Sequence, residues 1–356
     1  MKISVVKPDQ MGPDLIKAWC RLLEQEKTFD SPFFHPRFTH AVAQVRPDVE
    51  VAVLTEGDQA VGFFPFQRLS GNRGRPVGGR MSDFQAVIAP TGLTLSVPNL
   101  LRGAGLSTWD FNNLQVSQSA FEPYFSRVAE SACIDMPNGW DAYVEGKGGS
   151  RYRYLKNALR KCRKMEREVG PVRFEMQVAD EALLLELIKL KSQQYRQMGV
   201  TDVFSFPWTV DLLKLIVRQH DPVFGGLLSA LYAGDNLVAL HLGMRAHKVL
   251  HCWFPVYDIN MAKYSPGVLL FFEIMRQAQA HGIERIDLGR TDRWKTHLMN
   301  CAQNVAEGGV DIRPIRGPLL SGWRHAKEWF RNSTINQRFQ APARIFSRIK
   351  SWSELR

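Results

Sequence analysis

Residues 258–290 constrain the fold more than any other stretch. They read DINMAKYSPGVLLFFEIMRQAQAHGIERIDLGR, a loop, a capped helix and a short strand. Ser265 suits the N-cap, where its oxygen would accept from a free N–H of the first turn. Pro266 suits the first helical position, where its missing N–H costs nothing. Gly267 keeps the turn bare of side chain. No acid stands between Asp258 and Glu273, and Lys263 comes just before the helix. Such a start presents N–H groups at the positive end of a helix dipole, which is a site for a phosphate or pyrophosphate. The residues expected to hold it are Lys263, Tyr264, Ser265, Pro266, Gly267, Val268 and Leu269. Gly282 closes the helix, and Ile286-Asp287-Leu288 follows as a strand. An ordinary capped helix would read the same way, so the neighbouring segments decide.

Upstream, residues 224–232 and 236–244 are apolar runs joined by Ala233-Gly234-Asp235, a hairpin signal, and 248–257 reads as a third strand. Three strands, an anion loop, a helix and a strand follow the order of the acyl-CoA core in GNAT acyltransferases. The usual glutamine- or arginine-led glycine loop is absent, and KYSPGVLL stands in its place. The match is therefore one of order and chemistry.

A closer resemblance lies in YDINMAKYSPGVLLFFEI followed by DLGRTDRWKTHL. These segments resemble the bacterial acetyltransferases of cellulose and exopolysaccharide clusters, which are GNAT-type and related to FemAB-like transferases. The shared pattern falls here on Tyr257 and Asp258, on Ser265 to Gly267, and on Asp287, Arg290, Asp292 and Lys295. The opening SPFFHPRF, residues 31–38, is similar as well. The resemblance covers most of residues 30–315. It implies an α/β (mixed α+β) fold of tandem GNAT-like domains, each a mostly antiparallel central sheet flanked by helices. It also implies acetyl-CoA or another acyl-CoA as acyl donor, and a hydroxyl or amine of a sugar or polysaccharide precursor as acceptor. Two rival readings remain open. One is a FemAB-like transferase that uses aminoacyl-tRNA. The other is a non-catalytic accessory of a polysaccharide export assembly.

Acyl transfer asks for a base, and histidine is the first residue to consider. His241 and His251 fall on consecutive strands about one tight turn, and counting outward from that turn places them nearly opposite on one face. Two structural histidines in a half-buried sheet would give the same pattern. Asp287, Arg290, Asp292 and Lys295 follow the strand after the helix, at the carboxyl end where open sheets bind ligands. Either aspartate would serve as base or position an acceptor, and the two cations would hold an anionic group. A charge network closing a loop is the alternative. Tyr257 is a candidate acid or a strand-end aromatic. No HExxH-type spacing occurs, so no metal is expected.

The segment AVLTEGDQAVGFFP from Ala52 repeats as SALYAGDNLVALHL from Ser229, with Gly57-Asp58 matching Gly234-Asp235 and Val61 matching Val238. Helical patterns precede both hairpins, at 13–25 and 36–45 and again at 180–198 and 207–220. Two copies of one unit are expected. The first diverges after its hairpin, with a basic glycine-rich loop at 71–79, a strand at 84–89 and only a short helix near 96–102. It reads as a copy that has lost its cofactor loop and supports the acceptor cleft. The expected boundaries are a degenerate GNAT-like domain at 1–148, an acyl-CoA-binding domain at 149–318 and a basic amphipathic tail at 319–356.

The chain has 356 residues, enough for two such domains, and a formal net charge of +11 that favours anionic partners. Charge is densest at 151–167, where eight Lys and Arg face Glu166 alone. Tyr152, Leu155, Leu159, Cys162 and Met165 recur there at helical spacing, the pattern of a solvated helix with a buried stripe. No nucleic-acid module accompanies it, which argues against nucleic acid as a partner. In the tail, Trp323, Trp329 and Trp352 alternate with Arg and Lys, as in helices that lie on an anionic membrane or pack on the core. The five cysteines have no paired spacing and are expected as free thiols in a reducing compartment. With no signal-peptide pattern or apolar run of spanning length, the expected location is the cytoplasm, or the inner face of its membrane.

Overall fold

The computed structural model describes residues 1–145, 150–291 and 295–314. The chain divides into two compact units, Met1–Glu130 with residues from Asn304 onward, and Ser131–Gln303. These bounds differ from those expected at 148 and 318. The reason is that two strands near the bounds, Phe125–Asp135 and Cys301–Asp311, are distributed against the order of the chain.

The elements run β1 (Lys2–Val6), α1 (Pro13–Gln25), α2 (Pro36–Val45), β2 (Val49–Glu56), β3 (Gln59–Leu69), β4 (Arg73–Arg75), α3 (Val97–Gly103), β5 (Thr108–Gln115), β6 (Phe125–Asp135), α4 (Gly139–Glu145) and α5 (Ser150–Glu168). They continue with β7 (Val172–Met176), α6 (Glu181–Met198), α7 (Pro207–Val217), β8 (His220–Asp221), β9 (Phe224–Ala233), β10 (Asn236–Ala246), β11 (Val249–Tyr257), α8 (Pro266–Ala278), β12 (Arg285–Arg290) and β13 (Cys301–Asp311).

In the first unit the strand order is β1-β2-β3-β4-β5-β13, and every pair is antiparallel except β4 with β5. In the second it is β7-β9-β10-β11-β12-β6, antiparallel except β11 with β12. Order and sense coincide, so the repeated hairpins β2–β3 and β9–β10 hold equivalent places. Both turn through a two-residue Gly-Asp loop. Gly57 and Gly234 take φ of +58° and +56°, which only glycine adopts without strain. In each unit the last strand comes from elsewhere in the chain. β6 follows the first unit's β5 yet completes the second sheet, and β13 returns to complete the first.

The core of the first unit is aromatic, with Phe64, Trp109 and Phe121 fully buried among leucines and valines. Its SPFFHPRF segment is structural. Phe33, Phe34 and Phe38 are buried, and His35 caps α2 by accepting from Arg37 N–H at 3.2 Å. The strand expected at 84–89 makes only isolated bridges, at Gln85 and Ile88, and β4 lies instead inside the glycine-rich loop. No long helix joins β4 to β5, since α3 spans seven residues.

In the second unit α8 and α5 cover one sheet face, where Leu227, Leu231, Ala239, Leu250 and Cys252 are buried. The alternate residues Leu228, Ala230, Leu240, Leu242 and Met244 are equally buried, and α6 and α7 pack on these same strands. Both faces are therefore apolar, which explains why the strands read as near-continuous hydrophobic runs. The stripe expected along α5 is narrower than its spacing suggested. Met165 is fully buried, but Tyr152 and Leu159 are exposed, with no described element covering that flank. Cys133 and Cys301 are joined by a disulfide, with Cα atoms 5.0 Å apart, which corrects the expectation of five free thiols. Their separation of 168 residues hides the pairing from any reading of spacing. Among the described residues no helix is long and apolar enough to cross a membrane. The tail expected at 319–356 lies outside the described residues.

Candidate functional site

β11 and β12 lie side by side only over Val249–His251 and Arg285–Asp287. Beyond that, β11 continues to Tyr257 paired with β10, and β12 continues to Arg290 paired with β6. Each strand carries a bulge where they part. Opposite Leu242 and Gly243 stand Phe254 and Cys252, which leaves Trp253 as the extra residue of β11. On β12 the register shifts between Asp287 and Gly289, with Gly289 at φ +71°. Bulges bend strands and increase their twist, so two of them here open the sheet along its parallel seam. The described pairing of β11 with β12 ends at His251 and Asp287.

α8 begins just after β11. Its first turn differs from the expected cap. Ser265 itself takes the left-handed conformation, φ +55° and ψ +52°, and its side chain caps no N–H. The carbonyl of Ser265 accepts from Val268 and Leu269 N–H, so Gly267 is the first-turn donor left without a backbone acceptor. The Ser265 hydroxyl accepts instead from Lys161 Nζ of α5, at 2.6 Å. Lys161 is thus the cation delivered to the helix start. It is one of eight similar residues in the sequence, and only the packing of α5 on the 259–264 turn distinguishes it.

Lys263, expected in that role, is turned aside. It pairs with Glu168 of α5 at 3.1 Å, and Tyr264 Oη donates to the same carboxylate at 2.7 Å. Those two hydrogen bonds hold the Glu168 carboxyl below its usual range, and bonding within the same group raises the Lys263 ammonium. Glu168 is an acid beside the loop that local sequence did not show. The side chains of Tyr264, Pro266 and Leu269 are buried, and Val268 packs on the core. What remains open to a ligand is backbone from Ser265 to Gly267, with Lys161 beside it. A Cβ on Gly267 would meet the Tyr257 ring at 3.2 Å, so Tyr257 covers the helix start.

The two histidines are not opposite one another. His251 is in register with Met244, and His241 with Pro255. His241 shares its face with Ala239 and Gly243, whereas His251 alternates with Leu250 and Cys252 and shares its face with Asp287, its register partner on β12. The Trp253 bulge and this alternation set them on different faces. Burial drives His241 down to about 3, with His251 adding to the effect. It is neutral at any ordinary pH and is a poor base. Neither of its ring nitrogens has a hydrogen-bond partner among the described residues, nor has the hydroxyl of Ser229 across β9.

Asp287 is 1% exposed and accepts from Arg285 Nε at 2.9 Å, an ion pair within the strand. Arg290 ends β12 opposite Ser131, and its carbonyl accepts from Lys295 Nζ at 2.7 Å. Lys295 therefore ties down the chain that leaves the strand. Asp292 lies outside the described residues. A residue that sequence reasoning missed is Lys191 of α6, whose Nζ donates to Pro255 O of β11 at 2.8 Å. Among the described residues no group of His, Cys, Asp and Glu is gathered to hold a metal.

Residues 150–296 match the sequence model of the acetyltransferase (GNAT) domain. No curated protein sequence matches the chain. Solved structures share the fold. The C-terminal domain of a putative lysylphosphatidylglycerol synthetase from Agrobacterium fabrum is 14% identical, with 85% of this chain and 93% of that one covered and a TM-score of 0.52. FemX is 9% identical over 80% of this chain and 93% of that one, with a TM-score of 0.52. A tandem GNAT protein from the clavulanic acid biosynthesis pathway is 8% identical over 88% of this chain and 99% of that one, with a TM-score of 0.50. The fold is mixed α/β and GNAT-like, and the GNAT domain supports an acyltransferase.

Proposed function

We propose that the chain transfers an acyl group, acetyl in the simplest case, from CoA to a hydroxyl or amine of a sugar or polysaccharide precursor. One observation carries the donor half of this reading. The parallel seam between β11 and β12 opens at two bulges, directly beside a helix start that presents the Gly267 N–H and the Lys161 ammonium. The residues fit CoA in chemistry. A bare first turn with one adjacent cation suits a pyrophosphate, and strand backbone beyond the end of the β11–β12 pairing suits the amides of a pantetheine arm. Acyl-CoA bound there would supply a thioester carbon, and strand N–H groups would polarise its carbonyl as negative charge develops on the oxygen. The acceptor half rests on the sequence resemblance in residues 257–298 alone.

Titration calorimetry with acetyl-CoA tests the donor. Saturable binding that competes with free CoA supports the reading, and absence of binding rejects it. One feature favours a second reading, the FemAB-like use of aminoacyl-tRNA. Arg153, Lys156, Arg160, Arg163, Lys164 and Arg167 are all exposed along α5, a cationic surface suited to a nucleic-acid backbone. Binding of aminoacyl-tRNA that weakens steeply with salt, in a protein that ignores acetyl-CoA, would establish that reading in place of the first.

A further inference from the structure

Among the described residues Lys191 is a cation without an anion. Its Nζ donates to the Pro255 carbonyl at 2.8 Å and to Gln194 Oε1 at 2.9 Å, and both acceptors are neutral. No carboxylate among the described residues acts on it. The groups that do are Cys252 of β11 and Lys295 beyond β12, while Asp202, in the turn next to α6, is engaged by the Ser192 hydroxyl at 3.1 Å. Burial lowers the Lys191 ammonium to about 8, with Cys252 opposing the shift and Lys295 adding to it. An uncharged amine has two N–H groups and one lone pair. Here two acceptors take both N–H groups, so the lone pair is left uncommitted. Pro255 follows the Trp253 bulge, on the part of β11 that has left β12. The amine is therefore held where the seam is open.

We propose that Lys191 is the general base of acyl transfer and takes the proton of the attacking amine or hydroxyl at the opening between β11 and β12. This rests on the acyl-CoA reading above. In the step, the acceptor heteroatom bonds to the thioester carbon as its proton moves to Lys191 Nζ. The C–S bond then breaks, and its electron pair leaves with sulfur. The Lys191 ammonium returns the proton to the thiolate, which departs as free thiol and resets the amine. No oxidant or further reactant is needed.

The test compares wild type with Lys191→Met and Lys191→Gln, using acetyl-CoA as donor and water as acceptor. Acetyl-CoA affinity is read by calorimetry, folding by thermal melting, and turnover by free-thiol release against pH. The wild-type rate should rise with an inflection near pH 8. Both variants should bind acetyl-CoA as wild type does, lose the inflection, and release thiol about 100-fold more slowly or worse, the usual weight of a general base. Trace labelling of amines with acetic anhydride at varied pH should show Lys191 of the wild type titrating well before the surface lysines, a readout independent of either variant. The proposal is overturned if a folded variant keeps the wild-type rate and inflection, if Lys191 labels in step with the surface lysines, or if wild type binds acetyl-CoA without releasing thiol above the buffer rate. Failure of wild type to bind acetyl-CoA overturns the acyl-CoA reading and the role of Lys191 together.

Discussion

His241 pays for its place in the sheet with unmet hydrogen bonds. An imidazole confined to apolar surroundings is held neutral, and His241 stays neutral down to about pH 3. In the unfolded chain the same ring takes a proton near its ordinary 6.5. Below that pH the unfolded state binds more protons, so stability contributed by neutral His241 is intact above 6.5 and is lost as pH falls toward 3. His241→Leu should therefore flatten the acid limb of the stability curve, by a few kcal/mol at pH 4 on the linkage scale. At pH 7.5 it should be neutral or mildly stabilising, because an unpaired polar group leaves the core. Urea unfolding at the two pH values measures both effects. Thiol release from acetyl-CoA should persist in this variant, and its loss would return His241 to the list of candidate bases.

At the scale of elements, the start of α8 is the part most open to a direct trial. Gly267→Glu places a carboxylate where the free N–H points, and the exposed Tyr257 ring must shift by a few tenths of an ångström to admit the new Cβ. Lys161→Ala removes the nearest cation and the bond to Ser265. Each change should weaken CoA binding about 10- to 100-fold, the worth of a hydrogen bond to a charged group. The alanine variant should also show a shallower dependence on salt. Melting temperatures close to wild type, with affinity unchanged in both variants, would remove the loop from the site.

Some of these elements were legible in the sequence and others were not, for physical reasons. The hairpins and α8 are local objects, fixed by Gly-Asp loops and by a Pro266-to-Gly282 helix pattern, so they could be read directly. Ser265 was misread because an N-cap and a left-handed pivot use the same residue, and backbone conformation alone separates them. Glu168, Lys161 and Lys191 reach the site from helices 64 to 104 residues away in sequence, through contacts that leave no periodic trace. β5, β6 and β13 were missed because their strands mix polar with apolar residues, and their partners lie far off in the chain.

At the scale of the whole molecule, the two sheets set where the chain can be cut. A fragment of residues 131–303 contains Ser131–Asp135, the part of β6 that pairs with β12, and keeps both Cys133 and Cys301. A fragment of residues 149–318, the division that sequence alone suggests, leaves β12 without β6 and exposes its edge. Unpaired strand edges recruit other chains. The first fragment should be monomeric and melt cooperatively, and the second should aggregate, as light scattering and size-exclusion chromatography would show. Equal behaviour of the two would mean that β6 contributes little to the second sheet.

The placement of β13 also carries a consequence for synthesis. Chains are made from the N-terminus, and early domains commonly fold while later ones are still being translated. Here the first sheet must wait. Its outer strand, paired with β5 through Val305 to Asp311, emerges only after some 190 further residues, counted from Gln115 to Val305. At the 5 to 20 residues per second typical of translation, that is a delay on the order of 10 to 40 seconds. During that interval β5 is an open edge on a nascent chain. The protein is thus one whose first half is born incomplete, and its yield in a cell should depend on what shields that edge until the last strand arrives.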